Sequence, residues 1–325
     1  MTPPRVLCLG EVLFDALADQ PERTPDQVES WTAYPGGAPA NVACGLAKLG
    51  TSSGFIGCVG QDVAGTELKT LLETLGVDIT GIQTHPTAPT RTVLVTRSQS
   101  GERTFAGFKD CQTTEFADTF LQASQLSPGL FEKADFLVLG TLELAYPDSR
   151  AAIERSLALA EQNYVKILVD VNWRSMFWPD LEAAQDLVHW LLKQVDFLKL
   201  SDEEADWLFG TADPGAITHR LGNLEGVLVT AGGEGCAYCL GENEGRLPAF
   251  SVTTVDTTGA GDSFVAGVLH QFCQQGIRAL SDPAVARQVA AYASAVGALT
   301  TLNPGAIAAQ PTAAAVEAFL AGNPI

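Results

Sequence analysis

The chain is organised around residues 255–264, Val255-Asp256-Thr257-Thr258-Gly259-Ala260-Gly261-Asp262-Ser263-Phe264. Apolar residues then recur at helical spacing from Phe264 to Phe272 and stop at Gly276, which predicts that the Gly-Ala-Gly turn begins a buried helix. The N–H groups at such a helix start and the positive end of the helix dipole bind anions, and small side chains let a phosphate come close. The stretch therefore predicts a phosphate-binding turn.

Asp262 follows this turn directly, although a carboxylate beside a phosphate site repels the ligand. Its presence indicates a chemical task, such as accepting a proton from a hydroxyl group that attacks the phosphate. Asp is also favoured as a cap at helix starts. These residues alone leave the catalytic and the capping interpretations open.

Composition limits the partners of the chain. Its 325 residues, 46% hydrophobic and 18% charged, suffice for one large α/β domain or a domain with an appendage. The 19 Lys and Arg against 38 Asp and Glu give a charge of −19, which makes nucleic acid and anionic membranes poor partners. No apolar run is long enough to span a membrane, and the first predicted strand begins too early for a signal or transit peptide. We expect a cytoplasmic protein.

The cysteines and histidines suggest neither disulfides nor a metal centre. Seven cysteines, scattered from Cys8 to Cys273, are predicted to be free thiols. Cys236 and Cys239 form a CxxC pattern without a second pair for zinc, and positions three apart in a strand point to opposite faces. This pattern favours ordinary core packing. The four histidines are isolated from one another.

Apolar segments alternate between strand and helix patterns along most of the chain. The predicted strands are 6–9, 54–60, 136–140, 165–171, 196–200 and 226–230, and the predicted helices include 64–75, 147–162, 180–193 and 202–209. Apolar strands separated by helices predict an α/β fold with a mostly parallel central sheet and helices on both faces.

The pattern changes between residues 90 and 110. Two short strand patterns at 92–96 and 103–108 predict a hairpin. We expect this hairpin and residues 12–35 to form a small, discontinuous β-sheet lid on a single domain that spans residues 1–325.

A second glycine turn, at residues 36–39, leads into a predicted helix that ends at Gly50. Asn41, close to this turn, offers a donor and an acceptor to a polyol, or it fixes the turn itself. Asp15 is a lone acid within an apolar stretch, and a buried carboxylate needs partners. Ligand hydroxyls and backbone amides both remain open as those partners.

Three polar clusters follow predicted strands, at residues 170–174, 201–204 and 230–235. Ligands of open α/β sheets lie beyond the carboxyl ends of the strands, so these clusters are predicted to line a site. Ser201 and Glu204 also fit a helix capping box, and the glycines of the third cluster also suit a hairpin. The dinucleotide pattern GxGxxG after the first strand and the phosphate-loop pattern GxxxxGKS/T are absent.

With these features, the chain resembles the PfkB, or ribokinase-like, family of carbohydrate kinases over nearly its whole length. Residues 36–43, GGAPANVA, resemble the N-terminal signature of the family, and residues 256–264 resemble the C-terminal one. Within the family the chain looks closest to the fructokinases. That likeness rests on Gly10-Glu11 with Asp15, on Asp170-Val171-Asn172-Trp173-Arg174 with Trp178-Pro179, and on Val229-Thr230.

The resemblance implies phosphoryl transfer from ATP to D-fructose, giving fructose 6-phosphate. It implies that Asp262 is the general base, that the amides of Gly259, Ala260 and Gly261 form the anion hole, and that Arg174 belongs to the catalytic group. The implied sugar-binding residues are Asp15, Gly36, Gly37, Asn41, Arg103 and Asn172. The implied nucleotide-cleft residues are Thr230, Gly232 and Gly235.

The resemblance also implies metal ions and an assembly. Glu204 corresponds to the acid of the family's Asn-x-x-Glu motif, which places Mg²⁺ through water, although Ser201 stands in place of the Asn. Asp256 and Thr258 are candidate ligands for a monovalent cation such as K⁺. A homodimer formed through the β lid is the candidate assembly.

Two departures from the fructokinase pattern affect the choice of sugar more than the choice of reaction. Val171 stands where many fructokinases have proline, and Glu143 where plant enzymes have a small or apolar residue. The alternatives are a family kinase for ribose, 2-keto-3-deoxygluconate or a nucleoside, and an inactive relative that serves as a binding or scaffold protein. The intact glycines and Asp262 argue against the inactive relative.

Overall fold

Two β-sheets and the helices around them make up the computed structural model, which describes residues 2–98 and 103–323. The strands are β1 (Val6–Leu9), β2 (Leu13–Ala18), β3 (Trp31–Gly36), β4 (Ser53–Gly60), β5 (Asp78–His85), β6 (Thr92–Arg97), β7 (Arg103–Phe108), β8 (Phe136–Leu139), β9 (Lys166–Asp170), β10 (Phe197–Ser201), β11 (Gly226–Thr230), β12 (Cys236–Leu240) and β13 (Asn243–Leu247). The helices are α1 (Ala38–Leu49), α2 (Val63–Thr74), α3 (Pro147–Gln162), α4 (Ala184–Leu192), α5 (Asp202–Phe209), α6 (Pro214–Leu221), α7 (Ala260–Gln275), α8 (Pro283–Thr300), α9 (Ala306–Ala309) and α10 (Ala313–Gly322).

The large sheet has the strand order β13-β12-β11-β10-β9-β8-β1-β4-β5. Its strands from β11 to β5 are parallel to their neighbours, whereas β12 and β13 are added antiparallel at one edge. One apolar core packs helices α1, α7 and α8 against one face, and a second packs α3, α4 and α5 against the other. The predicted α/β fold with a mostly parallel, doubly covered sheet is confirmed.

The small sheet has the order β3-β2-β6-β7. Strands β2 and β6 are parallel, while the β2–β3 and β6–β7 pairs are antiparallel. This sheet combines the two segments that the sequence predicted together. Residues 99–102 of the predicted hairpin turn lie outside the described residues.

Most predicted element bounds agree with the structure, and the exceptions have local causes. Helices α3 and α5 have the predicted bounds. Helix α4 begins at Ala184 and not at residue 180, because the Asp180 carboxylate accepts the N–H groups of Glu182 and Ala183 in a separate turn. Strand β13 was not predicted, since its mostly polar residues give no apolar run at the sheet edge.

The seven cysteines are free, as predicted, and Cys111 alone among them is not fully buried. Within the described ranges, no helix combines the length and the apolar character that a membrane crossing requires.

Candidate active site

The Gly-Ala-Gly turn begins helix α7, as predicted. Gly259 is the N-cap residue, with a φ of 75° that favours glycine, and a Cβ atom there would lie 2.6 Å from the Ala306 Cβ. The N–H of Ala260 donates to the Thr257 carbonyl at 3.2 Å, whereas those of Gly259 and Gly261 have no acceptor among the described residues. Residues 263–273 are all buried, so the two unbonded N–H groups are held on a rigid helix end.

Asp262 lies in the first turn of this helix and contacts Asn41 of the other signature. Asn41 Nδ2 donates to Asp262 Oδ2 at 2.7 Å, across 221 residues of sequence. Asn41 is buried, and its backbone carbonyl accepts a hydrogen bond from Gln310 Nε2 at 2.7 Å. Asn41 therefore orients the carboxylate of Asp262 rather than fixing its own turn.

Opposing effects act on the pKa of Asp262. Burial raises it above the ordinary value, while the Asn41 hydrogen bond and the charges of Lys199 and Arg174 lower it. A half-buried carboxylate beside two unbonded N–H groups is suited to accept a proton from a nearby hydroxyl.

Lys199 and Asp170 form a buried ion pair behind the turn. Lys199 Nζ lies 3.0 and 3.2 Å from the two carboxylate oxygens of Asp170, and both side chains are less than 10% exposed. A Cβ atom at Gly261 would lie only 3.1 Å from Lys199 Nζ, so the ammonium group lies against the Gly-Ala-Gly turn. Lys199 belongs to no sequence motif, although a lone Lys within the apolar strand β10 is the signal that could have found it.

The turn at residues 36–37 leads from β3 into helix α1 and lies against the side chain of Asp15. Asp15 lies within β2 of the small sheet, paired with Tyr34 on β3. A Cβ atom at Gly36 would lie 2.8 Å from Asp15 Oδ2, and one at Gly37 would lie 2.5 Å from the Glu11 carbonyl oxygen. Gly37, with a φ of 101° and a backbone neighbour, therefore requires glycine, whereas a side chain at Gly36 would displace the Asp15 carboxylate, which lies against the turn.

The segment after β9 contacts Glu204. Asn172 has a φ of 39°, a left-handed conformation that Asn tolerates well. Glu204 accepts the Trp173 N–H at 2.6 Å and the Ser201 N–H at 2.8 Å, and Ser201 Oγ accepts the Glu204 N–H, which confirms the capping box. Arg174 is exposed and donates to the Trp173 carbonyl. Its positive charge lowers the pKa of Asp262.

A cavity of about 360 Å³ adjoins the start of α7. Its lining includes Thr230, Gly232 and Gly235 together with Ala260 and Gly261. The glycines also form the turn of the β11–β12 hairpin, so both interpretations of that cluster fit the geometry. The volume lies in the range typical of small-molecule sites.

The candidate cation ligands belong to the loop before α7. Asp256 Oδ1 accepts the N–H and the hydroxyl of Thr258, and Asp256 Oδ2 accepts the Gly305 N–H at 2.8 Å. Within the described part of the chain, no cluster of three or more His, Cys, Asp or Glu side chains suits a metal ion. Strand β7 begins at Arg103, whose side chain lies outside what the structure describes.

The glycine-bounded start of α7 carries the carboxylate of Asp262 and adjoins a cavity of small-molecule size, an arrangement that suits phosphoryl transfer. The model of the pfkB family carbohydrate kinases matches residues 3–313, and the chain belongs to that family, whose members transfer phosphoryl groups to alcohol acceptors.

Several of the individual similarities are to fructokinases. The chain is 36% identical over 321 residues to a probable chloroplastic fructokinase-6 of Arabidopsis thaliana, covering 98% of this chain and 82% of the relative. It is similar to the structure of a fructokinase with bound ATP from Xylella fastidiosa, with a TM-score of 0.88, 30% identity and 98% coverage of both chains. A double mutant of fructokinase from Vibrio cholerae O395, with bound fructose, ADP and potassium ion, gives a TM-score of 0.84 at 29% identity, with 98% of both chains covered.

Proposed function

We propose that this protein is a fructokinase, which converts D-fructose and ATP to D-fructose 6-phosphate and ADP. The observation that carries the proposal is the Asn41–Asp262 contact at the start of α7, because it joins the two family signatures at one carboxylate. The family match supports a carbohydrate kinase, and the fructokinase relatives and neighbours support fructose as its substrate.

In the proposed reaction, the carboxylate of Asp262 accepts the proton of the sugar hydroxyl as the oxygen attacks the γ-phosphorus of ATP. The new O–P bond forms opposite the breaking bond to the β-phosphate oxygen, and ADP leaves. Phosphoryl transfer passes through a loose transition state, so alignment and charge stabilisation contribute more than a strong base. The N–H groups of Gly259 and Gly261 face that charge, and that of Ala260 joins them if its 3.2 Å bond to Thr257 opens.

The sugar is proposed to bind between the small sheet and α1. Asp15, held beside Gly36, and Asn41 are assigned to its hydroxyl groups. Gly37 is assigned to the turn that lies close to the sugar. Asn172 and Arg174, from the segment after β9, and Arg103 are assigned to the remaining contacts with the sugar. Thr230, Gly232 and Gly235 are assigned to ATP, whose phosphates then reach the start of α7 from the adjoining cavity.

Two cations are proposed to act with ATP. Glu204 fits Mg²⁺ through water, because each of its oxygens accepts one backbone N–H and keeps a second lone pair. When bound, Mg²⁺ would neutralise phosphate charge. Asp256 and Thr258 are assigned to a monovalent cation, with backbone carbonyls as the remaining ligands, since the carboxylate of Asp256 already accepts three hydrogen bonds.

The small sheet is proposed as a lid on a single kinase domain. Closure of β2, β3, β6 and β7 over the sugar would exclude water that otherwise takes the phosphoryl group. A homodimer formed through this sheet is also proposed, and gel filtration with light scattering tests it. A location in the cytoplasm is proposed as well, and cell fractionation tests it.

The substrate assignment is tested by incubating the purified protein with ATP, Mg²⁺ and a panel of D-fructose, ribose, 2-keto-3-deoxygluconate and adenosine. We expect fructose 6-phosphate by NMR and poor turnover of the others. Fructose left unreacted while another panel member is phosphorylated assigns the protein to a sibling kinase. No phosphorylation of any of them supports a binding or scaffold role.

A further inference from the structure

Glu143 is a buried acid whose carboxyl group has no hydrogen-bond partner among the described residues. The residue is only 2% exposed, and neither oxygen receives a hydrogen bond from a described group. It lies in a short 3-10 helix, Leu142–Ala145, that follows β8. A Cβ atom at Gly10 would lie 3.1 and 3.2 Å from its two oxygens, so the carboxyl group lies against the backbone that leads into Glu11.

Glu11 connects this position to the proposed sugar site. It is 6% exposed, and its Oε1 accepts the Ala38 N–H at 2.7 Å, at the first residue of α1. Helix α1 carries Asn41, the partner of Asp262. Glu11 also lines a small cavity of about 20 Å³ together with Asn172 and Arg174. A displacement of Glu11 therefore disturbs the turn and the pocket wall together.

Neither glutamate forms an ion pair with a cation among the residues that the structure describes. Arg91 acts on Glu143, but its guanidinium already binds both oxygens of Asp118, at 2.6 and 2.9 Å. Arg174 lines the same small cavity as Glu11 but is exposed to solvent. The other charged groups that face the pair are negative: Asp118 and Asp262 raise the pKa of Glu11, and Glu11 and Asp118 raise the pKa of Glu143.

Two neighbouring buried carboxylates, neither of them paired with a cation of its own, favour the state in which one of them is protonated. Burial, with the nearby acids, raises the pKa of Glu11 to about 7 and raises the pKa of Glu143 well above its ordinary value.

We propose that Glu143 is a positioning residue for the sugar site, which holds a proton and shares it with Glu11, and so fixes Glu11 on the Ala38 amide. The proton belongs to the Glu143 carboxyl group, and Glu11 accepts it in a hydrogen bond. Loss of this proton at alkaline pH leaves two anions side by side, which repel each other and move Glu11 away from α1. The inference rests on the proposed sugar kinase activity.

The test compares Glu143→Gln with Glu143→Leu and the wild type, with KM for fructose and kcat measured from pH 6 to 9.5. In the wild type we expect KM to rise above the apparent pKa of the pair, by up to about tenfold per pH unit, with a smaller change in kcat. Gln keeps a donor that does not ionise, so its KM is expected to stay low across the range. Leu lacks the donor, so its KM is expected to be high throughout.

Ser156→Ala is the matched control, because Ser156 is another buried side chain without a hydrogen-bond partner among the described residues, on α3. It is expected to keep the wild-type pH profile. An alkaline rise in KM that persists in Glu143→Gln, or equal profiles for the Gln and Leu variants, overturns the proposal.

A second measurement needs no sugar and separates this inference from the choice of substrate. A folded-state pKa above the unfolded value means that the folded protein binds more protons, so its stability falls as pH rises through that interval. Urea unfolding from pH 5 to 9 is expected to show a smaller alkaline loss of stability for Glu143→Gln than for the wild type. Equal alkaline losses of stability in the wild type and in Glu143→Gln overturn the shared proton, even if fructose is the substrate. If fructose is not phosphorylated but Glu143→Gln loses less stability than the wild type, only the choice of substrate is overturned.

Discussion

Asn41 Nδ2 lies 2.7 Å from Asp262 Oδ2, although the two residues are 221 positions apart. Helix α1 and helix α7 pack side by side on one face of the large sheet, which brings the two residues together. The bond fixes the direction in which the Asp262 carboxylate points and stabilises its charged form. The two signatures are therefore parts of one site.

Replacing Asn41 by Ala is expected to move the acidic limb of the kcat profile to higher pH. The Asn41 hydrogen bond lowers the pKa of Asp262, so its loss raises that pKa, and the base is then protonated over a wider acidic range. Kinetics from pH 5 to 9 at saturating sugar measure the shift. The control is Asn163→Ala, whose side chain donates only to the Leu159 carbonyl at the end of α3. An acidic limb at the wild-type pH in Asn41→Ala would show that Asn41 does not control the pKa of the base.

Lys199→Met is expected to lower both stability and kcat. It leaves the buried Asp170 carboxylate without its cation, which costs about 3–5 kcal/mol in the free energy of unfolding. Lys166→Met is the control, because Lys166 pairs with Asp196 and Glu225 at the surface, where a pair contributes at most about 1 kcal/mol. Urea unfolding measures the stability of both variants, and steady-state kinetics measure their kcat.

The double variant Lys199→Met with Asp170→Leu separates the structural role of this pair from its role beside the turn. Stability is expected to recover, because no unpaired buried charge remains. Turnover is expected to stay low, because the Lys199 ammonium group then no longer lies against Gly261 and no longer helps Arg174 to lower the pKa of Asp262. A double variant with near-normal kcat would make the pair purely structural.

Gly36→Ala is expected to raise KM for fructose by about tenfold or more while kcat and stability change less. The new Cβ atom would lie 2.8 Å from Asp15 Oδ2, so the carboxylate must move, and a displaced charge-assisted hydrogen bond accounts for this loss. Gly129→Ala is the control, since its nearest neighbour to an added Cβ is 3.8 Å away. An unchanged KM in Gly36→Ala would argue against a sugar contact by Asp15.

The fold was predictable because its signals are local. The apolar strands, the bounds of α3 and α5 and the capping box of Ser201 with Glu204 follow from runs and spacings within a few residues. Strand β13 lacked such a signal, because its edge position leaves it mostly polar.

The site was predictable only in part. The glycine turns and Asp262 lie in two contiguous signatures, so the sequence points to them directly. The Asn41–Asp262 bond, the Lys199–Asp170 pair and the approach of Glu143 to Gly10 join distant segments. Such contacts depend on how the helices and strands pack, and each residue taken alone fits an ordinary core or turn position.

The most direct measurement is the kcat of Asp262→Asn with fructose and ATP, accompanied by calorimetric binding of each ligand. The Asn side chain keeps the shape of Asp262 but cannot accept the proton, so kcat is expected to fall by about 10²–10⁴-fold with fructose and ATP binding nearly unchanged. A kcat within a few-fold of the wild type would contradict the account and leave Asp262 as a structural residue of the α7 helix start.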